Sequence, residues 1–273
     1  MSWGGDFGGG WGQYVSAADK KKRAEAQRRQ LAARTKDRAL APVEFDARVR
    51  PMASSVWGRA WCANLESYAE LANRLERGRA YARSGAILDL EVEPGVARAW
   101  ISGSELYRVE VRCQPVASKD WAAMRKALTG QIDSLLSLFG GELAAPVMNT
   151  VSRREGGLFP SPTELAFACT CPDQSRAGWM CKHVAATLYG LGRRLDAAPQ
   201  LLFTLRQTDP QELVATTAAA LAKPAATPAK GDYPRLDDTA DLSALFGIEL
   251  ADPAAPHKKK PAKTRRKTSR GRT

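Results

Sequence analysis

Three of the chain's five cysteines and one of its two histidines fall within residues 169–183. Their spacing is Cys169-x-Cys171, then nine residues, then Cys181-x-His183. Thiolate sulfur and imidazole nitrogen are donors that zinc prefers, and structural zinc sites hold four of them in a tetrahedron. This motif constrains the fold more than any other feature, because both pairs must converge on one ion. We therefore predict that these four residues bind Zn²⁺.

The local pattern indicates how the two pairs can meet. Residues Thr163–Ala168 are strand-like, and side chains two apart in a strand share a face, so the first two cysteines point the same way. A bend at Pro172-Asp173 can then bring their sulfurs together. On a helix, two residues differ by about 200° in direction. Cys181 must therefore precede a helix, with His183 in its first turn, which predicts a strand–turn–helix unit with the metal at its corner.

The four residues could have come together by chance, and they are also compatible with two other kinds of chemistry. The C-x-C pair is compatible with a redox role, and a cysteine–histidine pair is compatible with a nucleophile. A redox role leaves the second pair unexplained, and no further acid–base set lies nearby. Four protein donors also leave no position for a reactive water, so we expect no catalytic residue and no enzymatic activity. Loss of zinc, by Cys181→Ser or His183→Ala, is predicted to unfold this segment while residues 57–140 keep their structure.

A small antiparallel meander is predicted ahead of the zinc motif. Apolar residues recur near helical spacing over residues 57–81, and three strand-like runs separated by turns follow. The runs ILDLEVE, VARAWIS and YRVEVRC alternate apolar and polar residues, which is typical of a sheet with one buried face. Helical patterns resume over 120–128 and 131–139. The fold class is therefore α+β: a meander with helices, a zinc-bound strand–turn–helix module, and disordered basic termini.

Changes in composition divide the chain into seven segments. A stretch of Pro, Ala, Thr and Gly marks a linker before the last two of them. The predicted segments are a disordered basic N-terminal arm (1–41), an α+β region with the meander (42–150), the zinc motif and its following helices (151–206), a helix (207–222), a linker (223–236), a short acidic–hydrophobic helix (237–251) and a disordered basic tail (252–273).

Each half of the N-terminal arm admits two interpretations. Residues 1–15 are rich in glycine and aromatic residues, which favours disorder, although the rings can also stack on unpaired bases or dock on a partner. From Ser16 to Leu40 the sequence has strong helix formers and no Gly or Pro. Its apolar residues are nearly all alanine, so this half is either a solvated basic helix or a charged linker.

The positive charge of the chain lies at its two ends. The sequence holds 41 Lys/Arg and 29 Asp/Glu, a net charge of +12. Residues 16–41 carry +6 and residues 253–273 carry +9, so that residues 42–252 are close to neutral. Terminal clusters of this kind act as solvated arms that contact a polyanion, DNA among them. The candidate contacts at the zinc motif and in the tail are Arg176, Lys182, Arg193, Arg194, Lys258, Lys259, Lys260, Lys263, Arg265, Arg266, Lys267, Arg270 and Arg272.

An acidic–hydrophobic segment, DDTADLSALFGIEL, follows the linker. Its apolar side chains recur at i, i+3 and i+4, which suits one or two helical turns, although such a peptide is too short to be a stable helix alone. It is either a strap on the protein's own core or an anchor for the groove of a partner protein. The candidate partner-binding residues are Leu242, Leu245, Phe246 and Ile248.

The remaining composition bears on the compartment. No window approaches the roughly 18 apolar residues that a membrane span needs, and the first residues have neither the basic nor the apolar region of a secretory signal. Five cysteines are too few for a disulfide-rich secreted scaffold. Cys62 and Cys113 occupy apolar positions and are predicted to be buried thiols. We expect a cytoplasmic protein with no membrane partner, compatible with association with the nucleoid.

The motif and its surroundings resemble a known family. The pattern C-x-C-xn-C-x-H, here CTC-PDQSRAGWM-CKH, is the signature of the SWIM zinc finger. The flanking sequences CTCPD, CKHVAATLYGLGRRLD and PQLLFTLR are similar to those of bacterial members. The similarity of WGRAW, further upstream, is less specific. The resemblance covers roughly residues 55–206 and implies that the same four residues bind zinc.

The resemblance implies a module of strand–strand–helix type associated with DNA transactions and protein interaction. SWIM modules occur with Swi/Snf-type helicase-like ATPases, plant Mutator-type transposases and recombination factors. This chain has no G-x-x-x-x-G-K-[ST] loop and no paired-carboxylate arrangement of a transposase. We therefore expect an accessory DNA-binding or adaptor module that works with a Swi/Snf-type helicase-like ATPase. The alternatives are a pure protein-interaction module without nucleic-acid contact, and an enzyme that uses zinc or thiols.

Overall fold

The computed structural model describes residues 16–46, 48–140, 145–177 and 180–215, with Ala17 and residues 175–177 described by their backbone alone. The chain divides into two units, 1–224 and 225–273, and the second lies outside the described residues. The linker, the acidic–hydrophobic segment, the basic tail and the glycine-rich start therefore stay predictions.

Within the described residues, four antiparallel strands form one sheet in the order β1-β2-β3-β4. They span Ile87–Glu93 (β1), Val96–Ser102 (β2), Leu106–Cys113 (β3) and Leu165–Cys169 (β4). The first three are the predicted meander, which confirms the α+β class. The zinc motif contributes β4, which pairs with β3, so the sheet joins two segments that the sequence divides at residue 150.

The helices pack against this sheet and against one another. They are α1 (Ala17–Arg34), α2 (Val56–Glu66), α3 (Ala72–Arg83), α4 (Ser118–Ala127), α5 (Leu135–Phe139), α6 (Ala145–Val151), α7 (Pro172–Ala177), α8 (Lys182–Leu195) and α9 (Gln200–Leu205). Residues 211–215 are also helical. The helical pattern over 57–81 is divided between α2 and α3, because Tyr68 between them is extended (φ −100°, ψ 111°) and buries its side chain.

Helix α8 lies at the centre of the core. Eleven of its fourteen residues are buried, and it packs against α2, α3 and the inner face of the sheet. Trp61 of α2 is fully buried, and its indole Nε1 donates to the carbonyl oxygen of Leu188 at 2.7 Å. One continuous cluster of buried apolar side chains extends from Val43 to Leu213. The meander and the zinc motif therefore share a single core.

Helix α3 approaches α8 closely at Gly78. A Cβ atom placed on Gly78 would lie 2.7 Å from the carbonyl carbon of Ala185 and 2.9 Å from the amide nitrogen of Ala186. These are backbone atoms of α8, which cannot move aside as the end of a side chain can. The contact between the two helices therefore requires a residue without a side chain at position 78.

Helix α1 covers part of the other, outer face of the sheet. Ala24 and Leu31 are buried against Leu88, with the half-buried Trp100 and Leu106 beside them. The prediction of a disordered arm is therefore wrong for residues 17–34, where the helical alternative is found. The helix is also not fully solvated, because Ala24 and Leu31, seven residues apart, are buried against the sheet. Arg23 and Gln27 also donate to the carbonyl oxygen of Gly103.

The segment after α1 continues the sheet beyond β1. The amide of Leu90 donates to the carbonyl of Ala41 at 2.9 Å, and the amide of Val43 donates to the carbonyl of Ile87 at 3.2 Å. Arg38 forms an ion pair of 2.5 Å with the buried Asp89 on the same strand. Residues 38–43 are thus fastened along the edge of β1.

Asp196, just after α8, holds the start of α2. Its carboxylate accepts hydrogen bonds from the backbone amides of Ser54 at 2.9 Å and Ser55 at 2.8 Å, and from the Arg193 guanidinium at 2.7 Å. Burial acts to raise the pKa of Asp196, but these hydrogen bonds outweigh it and the pKa is lowered. The carboxylate is thus stabilised as an anion beside a helix N-terminus.

Replacing Asp196 by alanine is expected to lower the free energy of unfolding by about 2 kcal/mol, since two backbone amides lose a charged acceptor. Urea denaturation followed by circular dichroism measures this loss. Asp133→Ala, which removes an exposed carboxylate, serves as the control and should change stability by less than about 0.5 kcal/mol. Equal effects of the two substitutions would contradict the role given to Asp196.

Candidate metal centre

The four motif residues come together where β4, α7 and α8 meet. Cys169 is the last residue of β4, and Cys171 follows in the bend before α7. Cys181 is the N-cap residue of α8, and His183 lies in the first turn of that helix. These placements confirm the predicted strand–turn–helix arrangement, with the short helix α7 in the place of a simple bend.

The spacing of the donor atoms fits a tetrahedral zinc ion. The Nδ1 atom of His183 lies 3.9 Å from Cys169 Sγ and 3.8 Å from Cys181 Sγ. One donor atom from each of the four residues lies within 4.8 Å of the others. An ion bound to sulfur at ~2.3 Å and to nitrogen at ~2.0 Å holds its donors about 3.5–3.8 Å apart. The centre is a Cys3His zinc site, and Zn²⁺ is its cofactor.

The charges of this cluster also favour a divalent cation. A hydrogen bond from the Cys169 thiol lowers the pKa of Cys181 to about 4, and the same bond raises the pKa of Cys169. Burial raises the pKa of Cys171. Without a cation, Cys181 is therefore the cysteine that ionises most readily, whereas ionisation of Cys169 and Cys171 is disfavoured. A bound Zn²⁺ supplies the positive charge that allows all three sulfurs to be thiolates in a buried site.

The site is closed to solvent on most sides. Cys181 is 0% exposed and Cys171 and His183 are each 2% exposed, whereas Cys169 is half-buried. Three sulfurs and one nitrogen fill a tetrahedral shell. The arrangement has the features of a structural site, in which the metal links parts of the chain.

Two tyrosines orient the imidazole. The ring of Tyr107 lies 4.6 Å from the His183 ring, and the ring of Tyr81 lies 5.1 Å away at 77°. Among the described residues, Nε2 of His183 is buried without a hydrogen-bond partner, so aromatic packing takes the place of the usual outer carboxylate or carbonyl. Sequence reasoning missed both tyrosines. Tyr107 has an inward position in the alternation of β3, which is the one signal that marked it as buried.

The basic residues at the motif do not form one patch. Lys182 is half-buried, with its Nζ 3.4 Å from the carboxylate of Asp173 and above the Tyr81 ring. Arg193 and Arg194 lie at the other end of α8, about 16 Å along the helix at 1.5 Å per residue. Arg176 belongs to α7, and its side chain lies outside the described part of the chain, as do the nine tail residues.

Arg194 has a structural role. Its guanidinium donates to the carbonyl oxygens of Ala41 at 2.6 Å and Pro42 at 3.3 Å, and burial lowers its pKa. It therefore holds the segment that continues the sheet beyond β1, and a role of Arg194 as a nucleic-acid contact stays a prediction. Arg193 is exposed and pairs with Asp196 at 2.7 Å.

The two cysteines outside the motif are free and buried, as predicted. Burial raises the pKa of Cys62 to about 12 and also raises the pKa of Cys113. Thiols with raised pKa values are poor nucleophiles at neutral pH. Neither residue lies in the zinc cluster.

Among the described helices, none is both long and apolar enough to cross a membrane.

Comparisons with known proteins agree with the geometry of the centre. The model of the SWIM zinc finger matches residues 168–191, which contain all four zinc-binding residues. The chain is similar to the uncharacterized protein Rv2102 of Mycobacterium tuberculosis, at 32% identity over 192 residues that cover 68% of each chain. No solved structure shows a significant match. The chain is therefore a SWIM zinc finger protein and belongs to one family with Rv2102.

Proposed function

We propose that the protein is a non-catalytic accessory factor that binds DNA and is held in shape by its zinc ion. The observation that carries this proposal is the closed Cys3His centre. All four donors are protein atoms, and three of the four residues are almost fully buried. Such a shell has no place for a substrate or a reactive water, so the metal supports a fold whose surface performs the function.

The distribution of charge supports DNA as the partner. Helix α1 carries seven Lys/Arg and two Asp/Glu, and it lies on the outer face of the sheet. The tail of residues 253–273 adds nine Lys/Arg without an acid. Both clusters suit nonspecific attraction to phosphates. The family resemblance adds a second part to the proposal, that a helicase-like ATPase is the protein partner and that the segment 237–251 contacts it.

Binding of the zinc-loaded full chain to a labelled 20-base-pair duplex and to the same labelled strand alone is expected to weaken steeply as salt is raised. The log–log slope should be about −0.9 for each duplex phosphate neutralised, and about −0.7 for single strands. Fluorescence anisotropy between 50 and 200 mM NaCl measures it.

The matched variant keeps the tail length but replaces its nine Lys/Arg by glutamine. Its affinity is expected to fall at least tenfold at low salt, with a shallower slope. A flat salt response of the unaltered chain, or the absence of binding to both DNA forms, would refute the proposed function. Unchanged affinity of the variant would exclude the tail as a contact.

A further inference from the structure

Three arginines surround one carboxylate on the outer face of the sheet. Arg112 Nη2 lies 2.6 Å, Arg98 Nε 3.4 Å and Arg108 Nη2 3.9 Å from the nearest oxygens of Glu110. The Glu110 side chain is only 11% exposed, whereas those of Arg108 and Arg112 are 58% and 72% exposed. We call these four residues the arginine cluster. The carboxylate lies beneath, and the guanidinium groups lie above it in solvent.

The three arginines of the cluster exceed the two carboxylates that pair with them, Glu110 and Glu93, by one positive charge. Arg98 has a second carboxylate partner, Glu93, at 2.5 Å. Glu110 is then left with Arg108 and Arg112, and a single carboxylate balances only one of them. The nearly buried Glu110 carboxylate accepts a hydrogen bond from Arg98 and forms ion pairs with Arg108 and Arg112, which restricts the positions of the guanidinium groups. Arginine groups that are held in place in this way lose less entropy when they bind phosphate.

The strand from the zinc motif leaves this cluster open. The residues of β4 opposite the arginine cluster on the outer face are Ala166, paired with Arg112, and Ala168, paired with Glu110. Both are exposed, and neither has a side chain long enough to cover a guanidinium group. Just beyond β4, Thr170 Oγ1 accepts a hydrogen bond from the amide of Arg108 at 3.0 Å. The arginine cluster is therefore connected to the zinc-binding cysteines through β4.

On its other side, the arginine cluster is bordered by an aromatic side chain and a basic helix. Trp100 is the cross-strand partner of Arg108 and is half-buried beneath the edge of α1. Helix α1 has an excess of five positive charges along its length. A flat sheet face does not enter a groove of the B-form duplex as a helix or a two-stranded ribbon does. Single strands, in contrast, lie on such surfaces with phosphates on cations and bases against aromatic rings.

We propose that this outer face, with Arg108 and Arg112 at its centre, binds the phosphate backbone of single-stranded DNA. The inference rests on the proposed function and assigns it a place on the folded body, separate from the basic tail. The excess charge of the cluster provides the complementarity. The buried Glu110 provides the fixed geometry, and the small residues of β4 provide the access.

The test compares the zinc-loaded full chain with Arg108→Gln/Arg112→Gln, using a labelled 20-nucleotide oligo(dT) strand and anisotropy at several salt concentrations. The matched control is Arg48→Gln/Arg77→Gln, which removes the same charge from exposed arginines away from this face. A further variant, Arg108→Lys/Arg112→Lys, keeps the charge. Zinc content and thermal unfolding of each variant verify that the fold is retained.

The cluster variant is expected to bind oligo(dT) at least tenfold more weakly, with the salt slope reduced in magnitude by about 1.4 for two phosphate contacts. The control pair should change affinity less than threefold, and the lysine pair should recover most of the loss. In the variant whose nine tail Lys/Arg are replaced by glutamine, a 20-base-pair duplex should bind more weakly than the single strand. Unchanged oligo(dT) binding by the folded cluster variant, an equal loss in the control pair, or a preference of the tail variant for duplex would overturn the inference.

These results separate the inference from the proposed function. If the unaltered chain binds DNA and the folded cluster variant binds it equally well, the function stands and the location is wrong. If the unaltered chain binds neither single-stranded nor duplex DNA, both fail together.

Discussion

Cys181→Ser is expected to lose zinc and to unfold the described body of the protein, rather than only the motif. Cys181 is fully buried at the start of α8, and the helix that it begins is the centre of the core. A structural zinc site contributes roughly 10–16 kcal/mol of apparent binding free energy in small zinc-finger peptides. Whole domains are stable by only about 5–15 kcal/mol. Loss of the ion is therefore of the same order as the total stability.

This expectation differs from the sequence-based prediction that residues 57–140 would keep their structure. That prediction treated the motif as a separate finger with little core of its own. In the structure, β4 pairs with β3 and α8 packs on α3. When the motif loses its fold, β3 loses a neighbouring strand and α3 loses its principal packing partner.

Circular dichroism, thermal unfolding and zinc content by mass spectrometry measure the effect. The matched control is Cys62→Ala, which removes a buried thiol from α2 outside the zinc cluster. The control should retain one zinc per chain and a cooperative transition, with a loss of about 1–2 kcal/mol. A Cys181→Ser protein without zinc but with the native transition would contradict the structural role of the metal.

Gly78→Val is expected to cost more than about 3 kcal/mol, and Gly78→Ala about 1–3 kcal/mol. Two effects oppose each other at this position. Alanine is favoured over glycine within a helix by about 1 kcal/mol, which would stabilise α3. The added Cβ, however, would lie within 3 Å of the α8 backbone, and separating the two helices loses packing throughout the core. The second effect is larger because neither backbone can yield locally.

Denaturant unfolding of the two Gly78 variants decides between these effects. Ala80→Val, at an exposed position of the same helix, measures the cost of a β-branched residue without the contact and should lose less than about 1 kcal/mol. A Gly78→Ala protein more stable than the parent would show that helix propensity prevails and that α3 and α8 can separate at little cost.

The sequence was most informative where chemistry and chain geometry restrict each other. A C-x-H pair inside a helix would direct its donors apart, so the spacing alone predicts Cys181 in the turn before a helix and His183 in the first turn of that helix. Strict alternation similarly predicted β1, β2 and β3. In both cases a short stretch of chain contains all the information, because the constraint is local.

Features that depend on contacts between distant segments were not predictable in the same way. The attachment of α1 depends on Ala24 and Leu31, too few apolar residues to be distinguished from those of a solvated helix. The arginine cluster depends on the register between β2 and β3, which places Arg98 opposite Glu110. The break at Tyr68 results from burial of its ring in the common core. None of these has a signature within one element.

The attachment of residues 38–43 along β1 limits intermolecular association through the edge of the sheet. An uncovered strand edge offers free amides and carbonyls to any other extended chain, and such edges start self-association. Here the chain's own N-terminal segment occupies part of that edge, held by Arg38 on one side and Arg194 on the other. A protein that begins at residue 42, just after the arm predicted from composition, would lack most of the segment that covers this edge. We expect such a truncated protein to aggregate.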